Sequence, residues 1–366
     1  MSHGVGHNVW TRLGMRVGVV GCGIGKQHVA AFQSLPTQFK VAAVCDVDQA
    51  KARAVTAEFG DPRVAADLTE LCRMDDVDVI DLCTPSFLHY EQVLQVLSAG
   101  KHVICEKPVA GSLREVDALV AAEKQARRRV MPIFQYRFGC GLQKLKRLAS
   151  AGVAGRAYLT TVETAWRRRA DYYATWHGKW KMELGGALVT LAVHAHDALY
   201  YILGPAKSVL AHAATLVNPI ETEDCVTASL EMADGSLCSL SVTTGSARQI
   251  SRHRFCFSHL TAESNTRPSA NTSDPWTFTG DSPEIDQQIQ DTLACLEPRP
   301  EGFAGQFYHF HRALQCQADQ ADLPVTLADA RASLELITAI YYSARTHQAV
   351  RLPIGPDHPY YGGWLP

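Results

Sequence analysis

Short apolar runs alternate with helical patterns through the first third of the chain. Residues 16–21, 40–46, 77–83, 102–105 and 130–134 read as strands, and residues 27–35, 50–59, 91–99 and 113–128 as the helices between them. These strands have few polar positions, as a sheet covered on both faces requires. The pattern therefore predicts a doubly wound parallel α/β domain over residues 15–134. Residues 1–14 precede the first strand without an apolar run of their own and are expected to form a mobile extension.

After about residue 135 the rhythm changes. Residues 142–151 read as a helix, 156–167 as a long strand and 186–203 as a helix, and strands follow at 206–216, 224–232 and 236–244. Asp234-Gly235 separates the last two, a hairpin signal because this pair tolerates positive φ. The order predicts an α+β domain over residues 135–366, built on a large, open, mostly antiparallel sheet. Residues 249–283, rich in Ser, Thr, Asn and Pro, are expected to be a loop, and 303–320 and 327–348 to be helices.

Composition narrows the range of partners. With 366 residues, 46% hydrophobic and 20% charged, the chain can bury two cores. Its 35 Lys+Arg nearly balance 37 Asp+Glu, which leaves no basic field for nucleic acid or an anionic membrane. The opening residues lack an export signal, and no run reaches the roughly 18 apolar residues of a membrane span. Eleven cysteines, an odd number without a C-x-x-C pair, lie mostly in apolar runs. A reduced, cytoplasmic protein acting on a small molecule is expected.

Four stations carry chemistry. Gly21-Cys22-Gly23-Ile24-Gly25 stands where the first strand meets the first helix, where glycines allow a tight turn and backbone N–H groups face a pyrophosphate. The third glycine comes one residue early for the strict fingerprint, so the turn is expected to be shorter. Asp46 ends the second strand, 25 residues after Gly21, where a carboxylate accepts from the adenosine ribose hydroxyls and repels a 2′-phosphate; NAD is favoured over NADP. Thr84-Pro85, with His89 close behind, and Glu106-Lys107-Pro108 follow the third and fourth strands, at the carboxyl edge of the sheet. The fourth station is the Gly185-Gly186 helix, on which Thr190, His194 and Asp197 share a face while His196 points away. Two histidines so arranged cannot grip one ion from a regular helix, and no metal site is expected. Singly, each station has a plain structural reading as a turn, a solvated lysine or a core histidine.

In combination the stations resemble the Gfo/Idh/MocA family of NAD(P)-dependent sugar and inositol oxidoreductases, from about Met15 to the C-terminal helices. The resemblance implies a Rossmann domain holding NAD and a second domain whose sheet joins copies into a homodimer or homotetramer. It implies Lys107 and His194 as catalytic residues, and a cofactor site formed by Gly21, Gly23, Ile24, Gly25, Asp46, Thr84, Pro85, His89, Glu106 and Lys107. Residues 166–180 resemble members acting on hexose derivatives, sugar-nucleotide 3-dehydrogenases included. Inositol and glucose members carry an Asp four residues before the His; here Thr190 stands there, so that carboxylate's role does not transfer.

Removing hydride from a secondary alcohol carbon leaves positive charge on it unless the hydroxyl proton also departs. His194 is expected as the base, with the Lys107 ammonium polarising the oxygen and Glu106 holding the lysine. Tyr136, Arg137, Trp166, Arg167, Tyr172, Tyr173 and Trp176 are expected to hold a carbohydrate or cyclitol beside Lys107 and the Thr190 hydroxyl, aromatic faces against C–H surfaces and arginine forks on oxygens. Two other readings fit the same residues. One is an NAD-dependent glycosidase working by transient C3 oxidation and elimination; the other is a non-catalytic sensor of NAD and sugar.

Overall fold

The computed structural model describes residues 14–315 and 323–366. The expected extension, Gly14 apart, and the end of the helix expected to reach residue 320 lie outside the described residues. Strands β1 (Met15–Val20), β2 (Phe39–Cys45), β3 (Arg63–Val64), β4 (Val79–Leu82), β5 (His102–Cys105) and β6 (Val130–Pro132) form one parallel sheet in the order β3-β2-β1-β4-β5-β6. Val17, Val19, Val79, Ile80 and Leu82 are wholly enclosed, which is why these strands read as unbroken apolar runs. Strand order reverses beside β1, and this opens a crevice at the carboxyl ends of β1 and β4. Helix α1 (Gly25–Gln33) closes one side by burying Val29 and Phe32. Phe32 stacks on Phe307 at 4.1 Å, so the late helix Gly302–Gln315 returns to the first domain.

The second sheet has eight strands: β7 (Ala157–Arg167), β8 (Ala206–Ala214), β9 (Cys225–Met232), β10 (Leu237–Thr243), β11 (Gly245–Phe257), β12 (Leu260–Glu263), β13 (Thr277–Gly280) and β14 (Val350–Arg351). Their order is β13-β12-β11-β7-β10-β9-β8-β14, and only β7 and β10 run parallel. About half of the expected loop over 249–283 is strand of this sheet, at 249–257, 260–263 and 277–280, with a loop between the last two. Along β11, His253 and Phe255 are buried while Arg252 and Arg254 face outward. The outward polar half of that alternation is what imitates a loop in the sequence.

The helix expected over 186–203 is also divided. A short helix, Trp180–Glu183, precedes a wider π turn at Leu188–Ala192, and a regular helix follows at Val193–Leu203. By length and composition the stretch Trp180–Leu203 could cross a bilayer, which the count of apolar runs did not anticipate. Yet 72% of its apolar window is buried inside the protein, as a core helix is.

Candidate active site

A cavity of about 1280 Å³ lies between the two sheets' domains, and the four stations meet in it. At its first-domain end, Gly21 has φ +92°, and a Cβ there would stand 2.5 Å from the Cys83 carbonyl oxygen; only glycine allows β1 and β4 to approach so closely. Gly23 has open space where a Cβ would point. Helix α1 begins at Gly25 with no side chain capping it and no acid in its first turn; the Lys26 and Gln27 N–H groups turn back onto the Gly23 and Ile24 carbonyls, which leaves the N–H groups ahead of them for an anion. The Asp46 carboxylate accepts from the Cys22 N–H at 2.7 Å and the Asp48 N–H at 2.8 Å, and faces the cavity. This cradle fits a dinucleotide: uncapped helix donors for its pyrophosphate and a fixed carboxylate for its ribose.

Deeper in, the Lys107 ammonium donates to the Thr190 carbonyl at 2.8 Å, across 83 residues of sequence. That carbonyl belongs to the π turn, a wider coil often found where function re-aims a backbone group. His194 lies one turn on and stacks on Tyr136 with ring centroids 4.6 Å apart. Its Nδ1 is enclosed without a hydrogen-bond partner. Burial and the Lys107 charge push its pKa down to about 3, so the imidazole is neutral at pH 7. Burial also lowers the Lys107 pKa, against the pull of Glu106 and Glu183.

Glu106 does not hold the lysine ammonium. Its carboxylate pairs with His28 Nε2 at 3.2 Å and accepts from the Lys107 backbone N–H at 3.1 Å. His28, wholly buried, meets Asp81 at 2.9 Å through Nδ1, with the Cys83 sulfur 3.3 Å from that atom. The ligand atoms of His28, Asp81 and Cys83 lie within 4.8 Å of one another, near enough for a metal ion, but the imidazole is already engaged by two carboxylates. Burial works against charge on Glu106, and His28, Lys107 and His194 outweigh it, setting its pKa at about 2.

Comparison with known proteins fits this geometry. The NAD-binding Rossmann-fold oxidoreductase family matches residues 15–134, and the Gfo/Idh/MocA C-terminal domain matches residues 142–259. The chain belongs to the Gfo/Idh/MocA family. Its structure is similar to the WlbA dehydrogenase of Bordetella pertussis, solved with NADH and UDP-GlcNAcA: identity is 30%, the TM-score 0.81, and 93% of this chain covers 100% of that one. The D-glucoside 3-dehydrogenase of Escherichia coli is 30% identical over 201 residues, 54% of this chain and 57% of that enzyme. The myo-inositol 2-dehydrogenase of Thermotoga maritima is 28% identical over 210 residues, 56% of this chain and 60% of that enzyme. The match thus spans less than two thirds of either dehydrogenase. Through its NAD-binding Rossmann domain the chain takes NAD as cofactor.

Within this Gfo/Idh/MocA site, Gly21, Gly23, Ile24, Asp46, Thr84, Pro85, Glu106, Lys107, Tyr136, Trp166, Tyr172, Trp176, Thr190 and His194 all line the cavity. Gly25 lies just behind, where a Cβ would come within 3.1 Å of Val19 and 3.3 Å of Cys83, so its lack of a side chain sets helix-to-strand packing. His89 is also displaced from its expected role. Its buried ring bridges the Pro108 carbonyl at 2.7 Å and the Thr84 carbonyl at 2.8 Å, tying two loops together. Arg137 does not reach substrate either: its buried fork grips Asp197 at 2.7 and 2.6 Å, and Asp329 at 2.9 Å. The Asp197 on the His194 helix is therefore an anchor. Arg167 is exposed and donates to the Gly245 carbonyl, while Tyr173 turns to the Thr244 hydroxyl.

Three groups were missed from the sequence. Arg168 lines the cavity in place of Arg167, as strand alternation from Trp166 could have told. His177 lies between Tyr172 and Trp176, with ring centroids 3.9 Å away on either side. Ser269, Ala270, Thr272 and Ser273 form part of the wall, and nothing in their composition marks them.

Proposed function

We propose that the protein is an NAD-dependent dehydrogenase transferring hydride between nicotinamide and a secondary alcohol carbon of a sugar, sugar derivative or cyclitol. The observation that carries this reading is the meeting of Lys107 with the turn preceding His194, in the cavity that also holds the glycine turn and Asp46. NAD, when bound, supplies the hydride acceptor. The neutral His194, which lines the cavity, can take the hydroxyl proton at Nε2, the ring nitrogen that is not enclosed. Lys107, held by the Thr190 carbonyl, presents positive charge to the oxygen as negative charge develops on it. The stacked Tyr172, His177 and Trp176 rings offer flat faces to a pyranose.

The substrates in the relatives' names, a glucoside, an inositol and UDP-GlcNAcA, support a polyhydroxylated ring as the substrate here. A screen of NAD reduction across cyclitols, hexoses, glycosides and nucleotide sugars is expected to find turnover with at least one. Lys107→Ala and His194→Ala should each lower kcat about 100- to 10,000-fold while NADH still binds. Wild-type turnover in both variants would sink the assignment. Aglycone release without net NADH would assign the same residues to transient oxidation and elimination instead.

A second copy completes the reading. Leu159 and Leu237 pair in register on β7 and β10 and are both exposed on the large sheet. Covering them in a homo-oligomer would remove an apolar face from water. Sedimentation should give a multiple of 40.1 kDa, and Leu159→Glu with Leu237→Glu should give monomer. A wild-type protein that stays monomeric at micromolar concentration rejects the oligomer.

A further inference from the structure

Three arginines in this protein show how it treats a guanidinium that is partly or wholly buried. Arg16, Arg137 and Arg331 each turn the Nε/Nη2 edge to one aspartate, Asp78, Asp197 and Asp117 respectively. That side-on fork matches the two oxygens of a carboxylate. Arg128 and Arg168, also half-buried, have no such aspartate; Arg128 gives its Nε to the Gly100 carbonyl, and Arg168 gives its Nε to nothing. The Arg168 Cζ lies 4.9 Å from the Trp166 ring centroid and 4.9 Å from that of Tyr172, so two aromatic rings hold it. Its Nη1 donates to the Arg167 carbonyl at 3.3 Å. Its Nε is enclosed with no hydrogen-bond partner, and no carboxylate among the described residues forms an ion pair with it.

The surroundings make this unmet charge informative. Arg168 lines the same cavity as Lys107 and His194, and its charge is felt at Lys107, whose pKa it helps to lower. Among the described residues from 135 onward no Asp or Glu lines that cavity; the acids that do are Asp46, Asp67 and Glu106, all on the first domain. Asp46 is bound to backbone N–H groups and Glu106 to His28. Glu183 shares a small side chamber with Arg168, but its carboxylate accepts from the Gly178 N–H. The substrate end of the cavity therefore has two cations and no free acid.

We propose that Arg168 receives an anionic oxygen group on the substrate, away from the carbon that is oxidised, so that the substrate is an acidic sugar derivative. A guanidinium whose Nε is enclosed without a partner or a counter-charge is costly, and a ligand anion offsets that cost only when bound. The two rings fix the guanidinium beforehand, so little freedom is lost on binding. The inference rests on the dehydrogenase reading for where the substrate lies, but its test does not need turnover.

The NADH-loaded protein is titrated with methyl glucuronide and methyl glucoside, and with UDP-N-acetylglucosamine and its 6-carboxylate, a pair whose diphosphates are identical. Methyl glucoside 6-phosphate separates a phosphoryl group from a carboxylate. The acidic member of at least one pair should bind about 10- to 100-fold more tightly. Arg168→Gln should abolish the preference while NADH still binds, Arg168→Lys should keep part of it, and Arg167→Gln should behave as wild type. Equal binding of acid and neutral partners, failure of every acid to bind at millimolar concentration, or loss of NADH affinity in Arg168→Gln overturns the proposal. Anion-dependent binding without hydride transfer leaves Arg168 assigned and sinks the dehydrogenase reading. Turnover of neutral sugars with no binding of any acidic one does the reverse.

Discussion

Lys107 is held by a backbone atom, which separates two roles for Thr190. Its hydroxyl donates to the Gly186 carbonyl at 2.9 Å, so only its carbonyl serves the lysine. Thr190→Val keeps that carbonyl, and kcat/KM should fall less than about tenfold, the worth of one ordinary hydrogen bond. A hundredfold loss would return the hydroxyl to the substrate. His28 makes a second case. Burial works against its charge, but Asp81 and Cys83 outweigh it and its pKa stands well above the usual histidine value. His28→Leu would leave Asp81 and Glu106 as buried, unpaired acids, so stability in urea should drop by about 3–5 kcal/mol. An unchanged midpoint would mean that the carboxylates do not depend on the imidazole. Gly21 and Asp46 could be singled out in sequence by their place in the strand–helix pattern, a glycine turn after the first strand and an acid ending the second. The roles of Arg137 and His89 could not be read there, because their partners lie 60 residues away at Asp197 and across two loops at Thr84 and Pro108.

Among the elements, the segment carrying His194 is the least regular and the most constrained. The Glu223 carboxylate accepts from the Gly186 N–H at 3.1 Å and the Leu188 N–H at 2.9 Å, so it caps the start of the π turn. A Cβ on residue 186 would lie 1.9 Å from the Glu223 carbonyl oxygen. Gly186→Ala must therefore push the turn away from β9, carrying the Thr190 carbonyl and His194 with it. Overpacking of this kind costs about 1–3 kcal/mol, and a shift of about 1 Å at a reacting group can cost a hundredfold in rate. The variant should fold and bind NADH but lose kcat; full activity would show that Glu223 does not set the position of His194. The Gly-Gly pair announces such a close approach in sequence, whereas the wider turn does not, since no residue type encodes it. The parallel sheet was legible because apolar runs of four to seven residues have one interpretation between helices. Strand β11 was hidden because half of its positions face water, and β3, two residues long, had too little pattern to detect.

At the scale of the whole molecule, buried titratable groups set how the protein responds to acid. Burial lowers the pKa of His102 and His253 to about 4 and of His194 and His196 to about 3. Below the unfolded value near 6.5 each is protonated only in the unfolded chain, so each withdraws about 1.4 kcal/mol of stability per pH unit as pH falls. Three carboxyls oppose them. Burial raises Glu183 and Glu223 to about 7 and Asp197 to about 6, so the folded state takes up these protons first and gains stability on acidification. Between pH 6 and 4.5 four histidines stand against three acids, a net slope of about 1.4 kcal/mol per pH unit. Below 4.5 the two glutamates are protonated in both states and stop compensating, while Glu106, held at about 2 in the folded protein, begins to cost stability because only the unfolded chain takes up its proton. The slope should then steepen to about 4 kcal/mol or more per unit down to pH 4, and ease once His102 and His253 are protonated in the folded state as well. The urea midpoint should thus decline gently from pH 7 to 5 and collapse between about 4.5 and 3.5. His196 isolates the cause, because both its ring nitrogens are enclosed without partners. His196→Leu removes one of the opposing protons without breaking a hydrogen bond, so it should shift the collapse to lower pH. An identical acid profile in that variant would show that the buried histidines do not drive the transition.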